Sequence, residues 1–317
     1  MKKLLPHIVV TGSLGFDYIM DFSGKFADRI MNDKVHKISL GFLVDSLKKQ
    51  FGGTAGNIAY SLRLLGMEPH IIAPAGNDFD PYLSFLKKAG VRTDGIVTHE
   101  DVATGSYFVV TDQEDNQIGS FYKGALKYAQ DLSILGNEKT DLVMISPTDP
   151  EAMKKYVKEC RAHHIPYMYD PAFQIGDFSP EVLKEGIEGS AIFIGNDYEI
   201  ALVEQKLSLS HAQLLAITPM LITTLGAKGS VIETNGKRIE IAVAHPKDVS
   251  DPTGAGDAYR GGFLAGYLRG YDPQTCGRMG AVASVYTVEM YGTMTHTYTQ
   301  KEFCARYKEN FQETLAL

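Results

Sequence analysis

The sequence predicts an α/β fold: a mostly parallel central sheet with helices on both faces, making three layers, and a small β-sheet set apart from it. Three observations carry this. From Asp141 onward, short apolar strand-like runs alternate steadily with helical runs, the signature of a parallel sheet covered on both sides. Between Gly105 and Tyr122 that pattern gives way to two β-rich runs joined by an acidic turn, which reads as a hairpin. At 317 residues, 44% hydrophobic and 22% charged, the chain is long enough for one large core, or a large core with a small satellite. We therefore expect one domain spanning 1–317, with segments at about 16–50 and 105–122 supplying the satellite sheet.

In chain order, His7 to Thr11 is an apolar run ending at Gly12, a buried strand followed by a turn. Phe16 to Gln50 alternates irregularly, with a charged excursion from Asp28 to Lys37; Phe16 to Met20 and Ile38 to Val44 are its strand candidates. After Phe51-Gly52-Gly53 a helix follows, with Ile58, Leu62 and Leu65 on one face and Gly66 as its stop. His70 to Ala73 reads as a strand and Pro81 to Ala89 as a short helix. The hairpin runs are Ser106 to Thr111 and Ile118 to Tyr122, turning at Asp112 to Gln117. Strands are then expected at Leu142 to Ile145, Tyr167 to Tyr169, Ala191 to Ile194 and Leu221 to Thr224, with helices at Glu151 to His163 and near Pro180 to Lys184. Ser230 to Glu233 and Arg238 to Val243, joined through Asn235-Gly236, form a second hairpin and an antiparallel edge. No internal repeat or low-complexity tract is present.

Composition excludes several classes. A net charge of −7 without a basic block argues against a nucleic-acid surface, which needs clustered Lys and Arg. The opening Met1-Lys2-Lys3-Leu4-Leu5-Pro6 is too short an apolar run, broken by proline, to read as a signal peptide. No stretch approaches the roughly 20 apolar residues that span a bilayer. The three cysteines, Cys160, Cys276 and Cys304, are odd in number and widely spaced, which suits a reducing compartment and neither a zinc site nor a disulfide framework. The expectation is a soluble cytoplasmic protein.

The most informative stretch is Asp251-Pro252-Thr253-Gly254-Ala255-Gly256-Asp257. Small residues run directly into a helical pattern at Ala258, Phe263, Leu264, Tyr267 and Leu268, so unpaired N–H groups gather at a helix start and make an anion site. Asp257 falls in the first turn, where the helix dipole favours a carboxylate, and could accept a proton from an attacking hydroxyl. Alone, the stretch is equally a glycine-rich turn capped by Asp251, Thr253 or Asp257. Spacing excludes two other phosphate motifs: Gly-x4-Gly-Lys-Ser/Thr is absent, and Tyr259 occupies the third small position that a dinucleotide fingerprint requires.

Four motifs occur in order: Gly52-Gly53 with Asn57 opening a helix, Asn196-Asp197-Tyr198-Glu199 after a strand, Thr224 to Gly229, and Asp251 to Asp257. Together they resemble the ribokinase family, also called the PfkB carbohydrate kinases, over about Val9 to Tyr298. The resemblance implies a ribokinase-like α/β/α sandwich with a β-sheet lid, and phosphoryl transfer from ATP with Mg2+, a reaction that needs positioning and charge neutralisation more than covalent chemistry. It assigns Asp257 as the base, with the N–H groups of Gly254, Ala255 and Gly256 holding the transferred phosphate. It assigns Asn196 and Glu199 to Mg2+ and its waters around the ATP phosphates; taken alone the two are a helix N-cap and its capping-box acid, and both roles can coexist. Thr224, Gly226 and Gly229 resemble the nucleotide loop, where local pattern alone gives a strand-to-strand turn. Asp17, Gly53 and Asn57 match the positions that bind acceptor hydroxyls. Asp251 and Thr253 match positions beside which the family often holds a potassium ion.

For the acceptor, Gly41 to Ser46 ahead of Phe51 to Tyr60, Asp115 to Ile118 leading to Phe121 to Ala125, and Asp257-Ala258-Tyr259-Arg260-Gly261 look more like bacterial adenosine kinases and broad-specificity nucleoside kinases than like ribokinase. The resemblance thus implies phosphorylation of the 5′-hydroxyl of a purine nucleoside, adenosine and also inosine or guanosine, with a kinase of ribose or fructose, or a non-catalytic nucleoside or nucleotide sensor, as alternatives. Aromatics of the lid, Phe16, Tyr107, Phe108, Phe121 and Tyr122, could stack on a base, although at least half should fill the lid's own core or a lid-to-lid homodimer contact. One departure stands out: after Asp170-Pro171 many sugar kinases carry Asn, and this chain has Ala172-Phe173-Gln174.

Overall fold

The computed structural model describes residues 6–30, 41–114, 116–136 and 138–317. Its central sheet has nine strands. In spatial order from one edge they are Lys237–Ile241, Ser230–Thr234, Met220–Thr224, Ile192–Asn196, Tyr167–Tyr169, Leu142–Ile145, Ile8–Thr11, Pro69–Gly76 and Arg92–His99. Every neighbouring pair is parallel except the two joining Met220–Thr224, Ser230–Thr234 and Lys237–Ile241, which make the antiparallel edge expected from Asn235-Gly236.

Period-two alternation along the strands builds the two helical layers. Ile8 and Val10, Leu142 and Met144, and Ile192 and Ile194 face one buried cluster, which the helices Thr54–Leu64, Asp80–Ala89, Ala255–Tyr267, Pro273–Val288 and Gln300–Phe311 cover. Val9, Val143 and Ile145, and Phe193 face the other, under Pro150–Ala162, Pro180–Glu188, Asp197–Leu207 and His211–Ile217. None of these helices is long and apolar enough to cross a membrane.

The separate sheet has four strands in the order Ser46–Gly52, Gly15–Asp21, Gly105–Thr111, Gln117–Tyr122. The first and last pairs are antiparallel and the middle pair is parallel. The strand expected over Ile38 to Val44 is corrected: residues 38–40 lie outside the described residues, 41–44 form no strand, and the pairing segment is Ser46–Gly52. Its middle, Leu47, Lys48 and Lys49, is exposed and carries two lysines at the sheet edge, so no apolar alternation marked it. Asp115, within the turn expected for the hairpin, also lies outside the described residues. The edge strand Arg92–His99 and the helices Pro273–Val288 and Gln300–Phe311 had no sequence expectation.

Candidate active site

In an open α/β sheet, ligands collect beyond the carboxyl ends of the strands, and the sequence-derived residues gather there. Gly12 and Ser13 follow the strand Ile8–Thr11, Asp170 follows Tyr167–Tyr169, Asn196 ends Ile192–Asn196, and Thr224 ends Met220–Thr224. At this end Ser146 donates to the Thr11 carbonyl at 2.6 Å and to Thr54 Oγ1 at 2.8 Å, tying two strand ends to the start of the helix Thr54–Leu64.

Gly53 caps that helix at φ 88°, and a Cβ there would press on the Ser13 carbonyl oxygen at 2.5 Å, so the turn needs glycine. One turn inside, buried Asn57 donates from Nδ2 to Asp257 Oδ2 at 2.8 Å, while its Oδ1 has no partner among the described residues. Asp17, on the strand Gly15–Asp21, stands over Gly52, where any side chain would collide with its carboxylate. The substrate-side trio thus converges from a strand of the small sheet and from the start of the helix Thr54–Leu64.

The helix Ala255–Tyr267 starts from Gly254 in the left-handed conformation, φ 80° and ψ −3°. Its first N–H, of Ala255, bonds to the Pro252 carbonyl at 3.2 Å; those of Gly256 and Asp257 find no acceptor among the described residues. Asp251 braces the approach to this turn, accepting from the N–H of Thr253 at 2.9 Å and of Gly292 at 3.1 Å, while Thr253 itself is exposed.

Two carboxyls at this end of the sheet are displaced from their ordinary range. Burial pushes Asp257 up to about 6; Arg260 and the Asn57 amide pull it down, and Asp170 and Asp17 push it further up. Burial, and then the charge of Asp251, push Asp17 up to about 6 as well. Sequence reasoning assigned no role to Arg260 or Asp170. Asp170 is fully buried and holds the guanidinium through Nε at 2.6 Å and Nη2 at 2.9 Å, and Arg260 Nη1 donates to the Gly256 carbonyl at 2.9 Å. Asp170 and Arg260 are separated by 90 residues of chain, so no local pattern announced the pair.

Asn196 and Glu199 sit together as a capping box: Asn196 Oδ1 accepts from the Glu199 N–H at 2.8 Å and Glu199 Oε2 from the Asn196 N–H at 2.7 Å. The capping alternative is thus satisfied, and the amide Nδ2 of Asn196 and Oε1 of Glu199 stay out of it. Among the described residues no group of three or more His, Cys, Asp or Glu could hold a metal ion by itself. The turn alternative for Thr224 to Gly229 is also satisfied, since the segment joins two antiparallel strands. It does more than turn. With Gly226 at φ 57° and Gly229 at φ 91° it forms one wall of a largely apolar cavity of about 410 Å³, whose opposite wall is Ala255, Gly256 and Val285. Ala281, Val285 and Val288 on that opposite side come from the helix Pro273–Val288, which the sequence reading missed.

The described side chains therefore place an apolar cavity, an open helix start and two raised carboxyls along one line of strand ends. The pfkB family carbohydrate kinase pattern matches residues 18–300. A nucleoside kinase of Methanocaldococcus jannaschii is 31% identical over 312 residues, covering 98% of this chain and 99% of its own. Among solved structures, the nucleoside kinase of Burkholderia thailandensis in complex with inosine superposes with a TM-score of 0.88 at 30% identity, over 97% of this chain and 99% of that one. The crystal structure of the Methanocaldococcus jannaschii nucleoside kinase, an archaeal member of the ribokinase family, gives 0.87 at 30% identity, over 97% of this chain and 100% of that one. The three-layer sandwich with its separate small sheet is the ribokinase-like fold.

Proposed function

The chain belongs to the pfkB family of carbohydrate kinases, and from that premise we propose that it transfers the γ-phosphate of ATP to the 5′-hydroxyl of a purine nucleoside, adenosine first, with inosine and guanosine as further acceptors. The observation that carries this reading is the convergence of two carboxyls lifted to about 6: Asp257, which accepts from the Asn57 amide at 2.8 Å, and Asp17, near enough for its charge to act on Asp257. One acid serves to hold neighbouring ribose hydroxyls, and the other takes the proton from the third. The nucleoside kinases of Methanocaldococcus jannaschii and Burkholderia thailandensis, the latter in complex with inosine, match nearly the whole chain at 30% identity or more and support this acceptor class.

In this reading Asp17, Gly53 and Asn57 orient the acceptor, and Asp257 removes its proton as the phosphoryl group arrives. The N–H groups of Gly254, Ala255, Gly256 and Asp257 receive the phosphate oxygens. Two of them, on Gly256 and Asp257, have no competing acceptor among the described residues. The cavity between Thr224, Gly226, Gly229 and Val285 fits the flat, largely apolar base of ATP. Glu199 Oε1 and the remaining lone pair of Asn196 Oδ1 would accept from the waters of an Mg2+ ion and so hold it, and the ion would supply charge neutralisation at the phosphates. Asp251 and Thr253 are the place for a potassium ion.

The four-stranded sheet is read as a lid over the acceptor. Register puts Gln50, Asp17, Tyr107 and Phe121 side by side in one row across it, so these two aromatics share the acid's face. Phe16 lies on the other face and is fully buried against Phe51 and Tyr82. The three free cysteines suit a cytoplasmic location.

Turnover measured as ADP release with adenosine, inosine, guanosine, ribose and fructose tests the assignment. The purine nucleosides should give the highest kcat/KM. A higher value for either free sugar would overturn the acceptor class, and binding of nucleoside without ADP release would make the protein a sensor.

A further inference from the structure

We propose that Arg260 is the positioning residue of the phosphoryl-transfer turn: clamped by Asp170, its guanidinium braces the Gly256 carbonyl and holds a fixed positive charge beside Asp257. The inference rests on Asp257 being the base, as read above.

Three of the guanidinium's contacts are committed. Nη2 donates to Asp170 Oδ1 at 2.9 Å, and Nε lies 2.6 Å from Oδ2 as an ion contact without hydrogen-bond alignment, so the carboxylate holds one side of the group. Nη1 then has one direction left, and it donates to the Gly256 carbonyl at 2.9 Å. Gly256 is the middle residue of the turn offered to phosphate, and a Cβ on it would stand 3.1 Å from Nη1, so glycine and arginine are fitted to each other. Both members of the ion pair are almost fully buried, at 7% and 2% exposure. Such a pair is a poor source of net stability compared with apolar packing, because two charges must be taken out of water, and a role in the reaction accounts for its place here.

The charges facing Asp257 explain what the arginine is for. Asn57 reaches it from the helix Thr54–Leu64, Asp17 from the small sheet, and Asp170 from the end of Tyr167–Tyr169. Tyr82, from the helix Asp80–Ala89, donates its hydroxyl to Gly52 beside Asp17 and feels both acids. Glu199, from Asp197–Leu207, acts on Arg260. Two carboxylates thus press Asp257 toward its neutral form, on top of burial, and Arg260 opposes them. Burial lowers the guanidinium's own pKa, but Asp170, Asp257 and Glu199 outweigh it, so the cation is kept.

The test is the acidic limb of kcat at saturating ATP and nucleoside. Arg260→Gln should move the limb up by about one pH unit, so the loss of rate is roughly fivefold larger at pH 6 than at pH 8. Asp170→Asn removes a negative charge and should move the limb down. Arg260→Lys should keep it near the wild-type position even where kcat falls through loss of the Nη1 and Nη2 contacts. A limb that stays put in Arg260→Gln, or that moves equally in the Gln and Lys variants, would leave Arg260 a structural residue and overturn the proposal. If Arg260→Gln fails to fold by circular dichroism, the sign of the shift in Asp170→Asn decides: upward or absent sinks it. Wild-type turnover is the control for the assigned reaction. Should no nucleoside be turned over, the acceptor reading fails by itself, and a carbon-13 titration of the Asp257 carboxyl in the same variants, with the same directions expected, tests the arginine separately.

Discussion

Asp17 and Asp257 share one pocket and are both lifted to about 6, yet they should fail differently when removed. Asp257→Asn leaves the Asn57 contact largely in place and takes away proton acceptance, so turnover should fall by roughly 10²–10⁴ with little change in acceptor binding. Asp17→Ala should instead raise the acceptor KM, because ribose hydroxyls lose a buried partner; steady-state kinetics with each substrate varied separates the two. Since both groups must be ionised to work, kcat/KM should decline below about pH 6 with a limb steeper than one proton. The stability effect has the opposite sense. A carboxyl raised above its unfolded value favours the folded state below the unfolded value, and this is lost as pH rises through 6, so Asp257→Asn should have a higher Tm than wild type at pH 8. Near-wild-type turnover in Asp257→Asn would remove it from the chemistry. Asp257 was legible in sequence because it sits in a short motif at a helix start, whereas Asp17, in a strand, was picked out only by the family resemblance and its place after the first strand. Arg260 was in view within the same motif but had no assigned role, since its partner is supplied by another strand end.

The elements that the sequence hid are those whose burial is not one-sided. Pro273–Val288 packs on the helix Ala255–Tyr267, on strands and on the final helix, so its apolar residues form no stripe, and Gly277 and Gly280 stand where a helix former would be expected. Those small residues let two helices touch. A Cβ on Gly262 would lie 2.5 Å from the Met279 carbonyl oxygen and 2.9 Å from Gly280 Cα, both backbone atoms that cannot turn aside. Gly262→Ala should therefore destabilise by about 1–3 kcal/mol, although alanine has the better helix propensity. Urea unfolding measures this, and a gain in stability would mean the helices do not meet as closely as described. The separation also bears on the site, because the first of these helices begins at the phosphate turn and the second lines the apolar cavity. By contrast the strands Leu142–Ile145 and Tyr167–Tyr169 were read to the residue, since buried parallel strands are uninterrupted apolar runs.

At the scale of the whole molecule, the small sheet has two working faces and an open edge. All six residues of the edge strand Gln117–Tyr122 are exposed, and an unpaired edge of this kind invites another chain. Along it the side chains alternate. Tyr107 and Phe121 share the row of Asp17, whereas Phe108, Ile118 and Tyr122, each 38–46% exposed, lie on the opposite face, where Tyr18 stacks on Phe108 at 4.7 Å. If the first face closes on the acceptor and the second meets a second copy of the chain, one sheet serves catalysis and assembly without competition between them. The two roles can then be separated by substitution. Phe108→Ser with Ile118→Ser should convert a dimer to a monomer by light scattering while changing the acceptor KM less than twofold. Tyr107→Ala should leave the mass unchanged and raise the acceptor KM by roughly tenfold or more, as expected for loss of a base-stacking ring. A wild-type protein that is monomeric at all concentrations, or a mass change in Tyr107→Ala with no change in KM, would show that register does not divide the sheet this way.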